Sequence, residues 1–160
     1  MDISYYSWVQ IQKNWLNSTR SAVQIKDLDS EWIPDSQEYG ITWQFFTDKM
    51  HSYYQEHGKC GGYVGESYSP FLPIDIDNIE VDPADLINLV YDWGVKDFNF
   101  YFSGSKGYHI EIPSSLLGVK PCDNLPERYK YVASQLDIEA DTSLYKRNQL
   151  YRLPNTLNSK

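Results

Sequence analysis

Apolar and polar positions alternate most clearly in the second half of the chain. Phe71-Leu72-Pro73-Ile74-Asp75-Ile76-Asp77 reads as a short strand interrupted by two acids. Asp82-Pro83-Ala84-Asp85 then opens an amphipathic helix. Asp82 suits its cap and Pro83 its first position; Leu86, Leu89, Val90 and Trp93 form one face, and Gly94 suits its end. Asp97 to Phe102 and Tyr108 to Ile112 alternate again, and the turn Ser103-Gly104-Ser105-Lys106-Gly107 between them predicts two strands joined by a Gly-rich connection. Leu125, Tyr129, Val132, Ala133 and Leu136 line a further helix started near Asn124 and Pro126, and Gln149 to Leu153 reads as a last short strand.

The first half is less regular. Trp8, Ile11 and Trp15 stand at helical spacing within Ile3 to Asn17, which predicts a first helix broken by Asn17-Ser18-Thr19. Residues 18–41 carry no clear period. A second helix is predicted over 42–56, with Thr42 as its N-cap and an end before Gly58, and Gly58 to Pro70 reads as loop. No internal repeat or low-complexity tract is present.

At 160 residues, with 41% hydrophobic and 16% aromatic content, the chain can bury a substantial core as one domain or two small fused lobes. No apolar run approaches the roughly 20 residues that span a bilayer, and the start MDISYYSWVQ lacks the pattern of a signal peptide, so a soluble, cytoplasmic protein without a membrane partner is expected. Cys60 and Cys122 are too few for a disulfide framework, and with His57 they do not make up a four-ligand zinc site. The net charge of −8 argues against broad phosphate gripping. The distribution softens this: residues 142–160 carry Lys146, Arg147, Arg152 and Lys160 and no acid. Bound divalent cations would offset further negative charge.

On a strand, Asp75 and Asp77 point to the same side with Cα atoms roughly 7 Å apart. Two carboxylates held so close call for a cation or a proton, the arrangement of a divalent metal site, although a solvated strand end carries the same spacing. Ser103, the glycines, Lys106 and His109 are all groups that contact phosphate, and they are equally the parts of an ordinary hairpin turn. Arg152, among apolar strand-like neighbours, requires a partner, either a phosphate or an acid in an ion pair.

The combination is more specific than its parts. In order, FLPIDID, FYFSGSKGYHIEIP and ADTSLYKRNQLYRLPNTLNSK resemble the three motifs of the archaeo-eukaryotic primase superfamily: an acidic pair, a Ser/Gly-rich turn leading to His, and a third acid. The second is similar to the polymerase domains of bacterial end-joining ligases. The third, with Tyr-Lys-x-Asn-x-x-x-Arg-Leu, is similar to primase-polymerases of eukaryotes, plasmids, phages and CRISPR-associated systems.

The resemblance covers about residues 71–160. It implies an α/β (α+β) primase fold, with an RRM-like catalytic module over 71–160 beside a smaller, generally helical N-terminal α/β lobe over 1–70. Asp75, Asp77 and Asp141 become the catalytic metal ligands for two Mg²⁺ or Mn²⁺ ions. Ser103, Lys106, His109, Arg152 and Lys160 become contacts to a nucleoside triphosphate, deoxy or ribo. The implied activity is that of a DNA primase or DNA-directed polymerase, synthesising or extending primers on a single-stranded DNA template. An extension-only repair polymerase and a non-catalytic nucleic-acid-binding module are the alternatives. The family pattern usually continues past Lys160, so the chain is expected to be the core of a longer protein with a helicase or other domain outside it.

Overall fold

The structure, a computed structural model, describes residues 4–13, 20–28, 38–104 and 106–152. They form a mixed α+β fold with two antiparallel sheets. The larger sheet contains β1 (Trp8–Lys13), β2 (Ser21–Gln24), β3 (Tyr39–Thr42), β4 (Phe45–Phe46), β5 (Ser67–Tyr68) and, from far along the chain, β9 (Leu150–Arg152). The smaller is ordered β6 (Phe71–Ile76), β8 (Tyr108–Pro113), β7 (Asn99–Phe102). The helices are α1 (Asp48–His57), α2 (Pro83–Asp92), the single turn α3 (Ser114–Leu117) and α4 (Leu125–Ser134). Among the described residues no helix is long and apolar enough to cross a membrane.

The smaller sheet follows its two-residue period. Leu72, Ile74 and Ile76 of β6 lie opposite Ile112, Ile110 and Tyr108 of β8, and these six share one core with Leu86 and Val90 of α2 and Leu125, Tyr129 and Ala133 of α4. Full burial of each aliphatic side chain stabilises by about 1.5–3 kcal/mol. The opposite face carries Pro73, Asp75, His109, Glu111, Tyr101 and Asn99, so one face of the sheet packs and the other gathers the polar side chains. Helix α2 forms as its signals predict, with the Asp82 carboxylate accepting from the Ala84 N–H at 2.8 Å.

The first half departs from expectation. In place of the predicted helix stands β1, paired with β2, β3 and β4. Trp8, Val9, Gln10 and Ile11 are all buried, so β1 is covered on both faces and lacks the alternation that marks a half-exposed strand. Ile3 and residues 14–17 of that expected helix lie outside the described residues. Thr42 does not cap a helix: its hydroxyl accepts from the Gln10 N–H and donates to the Gln44 carbonyl, fixing the β3–β4 corner. Helix α1 starts six residues later than predicted, behind Thr47, and ends as expected at Gly58, whose φ of 64° suits glycine. The stretch read as loop contains β5, and the described residues of 1–70 form a sheet with one α-helix.

The boundary near residue 70 separates the sheets only in part, because β9 pairs with β3 through Gly40–Arg152, Ile41–Tyr151 and Thr42–Leu150. Trp43 reinforces the join: its indole N–H donates to the Leu144 carbonyl and its ring stacks on Tyr129 at 5.4 Å. The Asn148 N–H donates to the Gln44 side chain, whose amide in turn donates to Ser67.

Candidate active site

The polar face of the smaller sheet positions the predicted residues by register. Asp75 on β6 lies directly opposite His109 on β8, with His109 Nε2 3.3 Å from Asp75 Oδ1. Both side chains are largely shielded, at 13% exposure for His109 and 24% for Asp75. The other side of the imidazole meets the ring of Tyr151 on β9, centroids 4.5 Å apart, so the larger sheet supplies the wall behind His109. Asp77 follows one residue beyond β6 and is more open.

Asp141 reaches this strand end through the backbone, its N–H donating to the Asp75 carbonyl at 2.7 Å. Its carboxylate caps the 3₁₀ turn Thr142–Leu144, accepting from the Ser143 hydroxyl at 2.7 Å and the Ser143 N–H at 2.8 Å. These bonds hold the Asp141 carboxyl below the usual carboxylate range, with help from Lys146 and Lys106. Asp77, Asn78, Glu139, Ala140 and Asp141 line a cleft of about 300 Å³.

Lys106 completes the cluster. Its ammonium donates to Asp77 Oδ2 at 2.7 Å. That bond and the Asp77 charge raise the Lys106 pKa, and Asp75 and Asp141 add to the effect. All three predicted acids therefore act on one cation.

The turn bearing Lys106 is held tightly. Ser103 N–H donates to the Gly107 carbonyl at 2.9 Å and Gly107 N–H donates to Ser103 Oγ at 3.1 Å, so the Ser103 hydroxyl helps close the turn. A Cβ on Gly107 would sit 1.6 Å from the Ile76 carbonyl oxygen, which makes glycine a requirement for the approach of turn to strand.

Two predicted residues stand apart from this cluster. Arg152 Nη2 lies 3.7 Å from Glu38 Oε1, the ion-pair alternative that its apolar neighbours left open, and alternation along β9 turns it away from Tyr151 and His109. Lys160 lies outside the described residues.

Three site residues were not singled out from the sequence. Glu111, two residues beyond His109 on the same face, is 6% exposed and accepts from Asn99 Nδ2 at 3.0 Å and from Tyr101. Burial pushes its carboxyl above the usual range, against the lowering effect of those donors and of His109. Tyr145 donates to the Pro73 carbonyl at 2.6 Å, and burial, then Asp75 and Asp141, push its phenol up. Tyr151 is the third. Alternation in Tyr108-His109-Ile110-Glu111-Ile112 could have found Glu111; Tyr145 opens the Tyr-Lys-x-Asn pattern but was given no role there, and Tyr151 reaches the site through tertiary pairing alone.

Among the described residues, no three His, Cys, Asp or Glu side chains are gathered closely enough to hold a metal ion as they stand. The donor set nevertheless suits one. Carboxylate oxygens match hard divalent cations such as Mg²⁺ or Mn²⁺, and the Lys106 ammonium already stands as a cation against Asp77 in the field of Asp75 and Asp141. No protein-family model, curated protein or solved structure matches the chain.

Proposed function

We propose that the protein is the catalytic core of an archaeo-eukaryotic-type primase-polymerase, an intracellular enzyme that performs template-dependent nucleotidyl transfer on single-stranded DNA. The observation that carries this reading is the meeting of all three motifs at one strand end: Asp75 paired with His109, Asp141 tied to the Asp75 carbonyl, and Lys106 on Asp77.

In the reaction a 3′-hydroxyl attacks the α-phosphorus of a nucleoside triphosphate; the new O–P bond forms as the bond to pyrophosphate breaks. Asp75, Asp77 and Asp141 would hold two Mg²⁺ or Mn²⁺ ions, which when bound lower the pKa of the attacking hydroxyl and offset charge on the leaving oxygens. Ser143 orients the Asp141 carboxylate and favours its charged form. His109, held between Asp75 and Tyr151, presents its ring toward the triphosphate, and Lys106 adds a mobile positive charge from a rigid turn. The Arg152–Glu38 pair gives Arg152 a structural role at the β3–β9 seam.

A second reading, a nucleic-acid-binding module without turnover, draws on the absence of a ready-made three-ligand cage among the described residues. The deciding experiment is a gel assay of the purified protein with single-stranded DNA, labelled nucleotides and Mn²⁺ or Mg²⁺, with and without an annealed primer. Products without primer establish a primase, and extension only from a primer establishes a repair-type polymerase. DNA binding without any product establishes the module.

A further inference from the structure

Asp75, Asp77 and Asp141 all act on the Lys106 ammonium, which bonds Asp77 directly. That ammonium is tethered in an unusual way. The backbone at Lys106 is fixed from two directions, by the Ser103–Gly107 hydrogen bonds and by the contact of Gly107 with the Ile76 carbonyl. The side chain itself is 67% exposed, and its partner Asp77 is 45% exposed. A fixed root with a free, flexible tip can exchange partners without any movement of the fold. A contact this open is screened by water and weak enough to be displaced.

We propose that Lys106 holds the place of a divalent cation at Asp77 and moves from the carboxylate to the nucleotide's phosphates when the ion binds, so that metal loading and triphosphate binding are coupled through one side chain. The inference rests on the nucleotidyl-transfer reading of the site and adds an order to it. An ammonium 2.7 Å from Asp77 Oδ2 and a metal ion on the same carboxylate repel one another, so each weakens the other's hold on Asp77. Divalent ions between the acids reverse the local charge, which repels the ammonium just as a triphosphate offers it three or more new acceptors. By linkage, a nucleotide that draws Lys106 away frees the Asp77 oxygen and tightens metal binding by the same factor by which metal tightens nucleotide binding. Lys106 is thereby a positioning residue for the ion as well as a phosphate contact.

The test is direct measurement of Mn²⁺ binding by the intact chain, read from the electron paramagnetic resonance signal of free Mn²⁺ without nucleotide. Lys106→Met should bind Mn²⁺ about two- to fivefold more tightly than the wild type, the range expected for removing one solvent-exposed competitor. The gain should vanish in an Asp77→Asn background, because the competition acts at that oxygen. With Mn²⁺ saturating, the same variant should bind a non-hydrolysable nucleoside triphosphate more weakly than the wild type. Lys106→Gln should repeat both effects, and thermal melts should match the wild type for both variants, since the side chain is exposed. Wild-type or weaker Mn²⁺ affinity in both variants, or nucleotide affinity left unchanged, overturns the exchange while leaving the acidic site intact. A wild-type protein that binds no more Mn²⁺ than Asp77→Asn overturns the functional reading itself.

Discussion

Substituting Gly107 by alanine tests the closeness of turn and strand on which the site depends. The added Cβ would lie 1.6 Å from the Ile76 carbonyl oxygen, 2.7 Å from the Ile76 carbonyl carbon and 3.1 Å from the Asn78 N–H nitrogen. All three are backbone atoms on either side of Asp77, so no side chain can rotate to make room. The β7–β8 turn and the end of β6 must separate, which strains the Ser103–Gly107 bonds and the first pairs of β8 with Ile76 and Phe102. Overpacking costs about 1–3 kcal/mol, and a clash confined to backbone belongs at the upper end, about 3 kcal/mol. For a domain of this size that lowers Tm by about 6–12 °C. Gly61→Ala is the control, an exposed glycine with nothing within 4 Å of its added Cβ, and it should leave stability within about 0.5 kcal/mol of wild type. Urea denaturation of both variants decides the matter. Equal midpoints for Gly107→Ala and wild type would refute the close approach, and with it the account of how Lys106 is held beside Asp77.

Asp77→Ala should abolish synthesis in the gel assay, by more than the roughly 10–100-fold seen for loss of a metal's second-shell partner, while leaving the fold intact because Asp77 is half-exposed. Unchanged synthesis removes the metal-ligand assignment. Ile74→Ala, at a fully buried position on the core face of β6, should cost about 2–5 kcal/mol in urea denaturation, and a loss under 1 kcal/mol contradicts the packing described. Glu111 carries a raised carboxyl pKa, so its contribution favours the folded state below about pH 4 and is lost as the pH climbs through the raised value. The stability of Glu111→Gln relative to wild type should therefore improve from pH 4 to pH 7, and a pH-independent difference would contradict the buried carboxyl.

Legibility from sequence followed exposure. Helix α2 was readable because cap, proline and apolar face are all local, and the acidic pair was readable because one face of β6 is core and the other is not. Strand β1 was misread because it is buried on both sides: with Trp8, Val9, Gln10 and Ile11 all covered, the sequence spacing of Trp8, Ile11 and Trp15 mimicked a helix face. Thr42 was misread because a hydroxyl that caps a helix also fixes a strand corner, and only the position of Gln10 decides between them. Arg152 was legible as a residue in need of a partner; Glu38, just ahead of β3, is far away along the chain and no local pattern announces it.

The return of β9 to the edge of β3 has a consequence for how the molecule comes into being. During synthesis β3 emerges with one edge unpaired and waits for almost the whole remainder of the described chain before its partner exists; Gln44 and Asn148, which bond beside this seam, are 104 residues apart. Closing so long a loop is slow compared with local pairing. The wall behind His109 is Tyr151 on that same late strand, so a nascent chain can complete the β6–β8–β7 sheet and still lack that side of the candidate site. The candidate site is walled in only when the seam closes, which ties its completion to the emergence of β9.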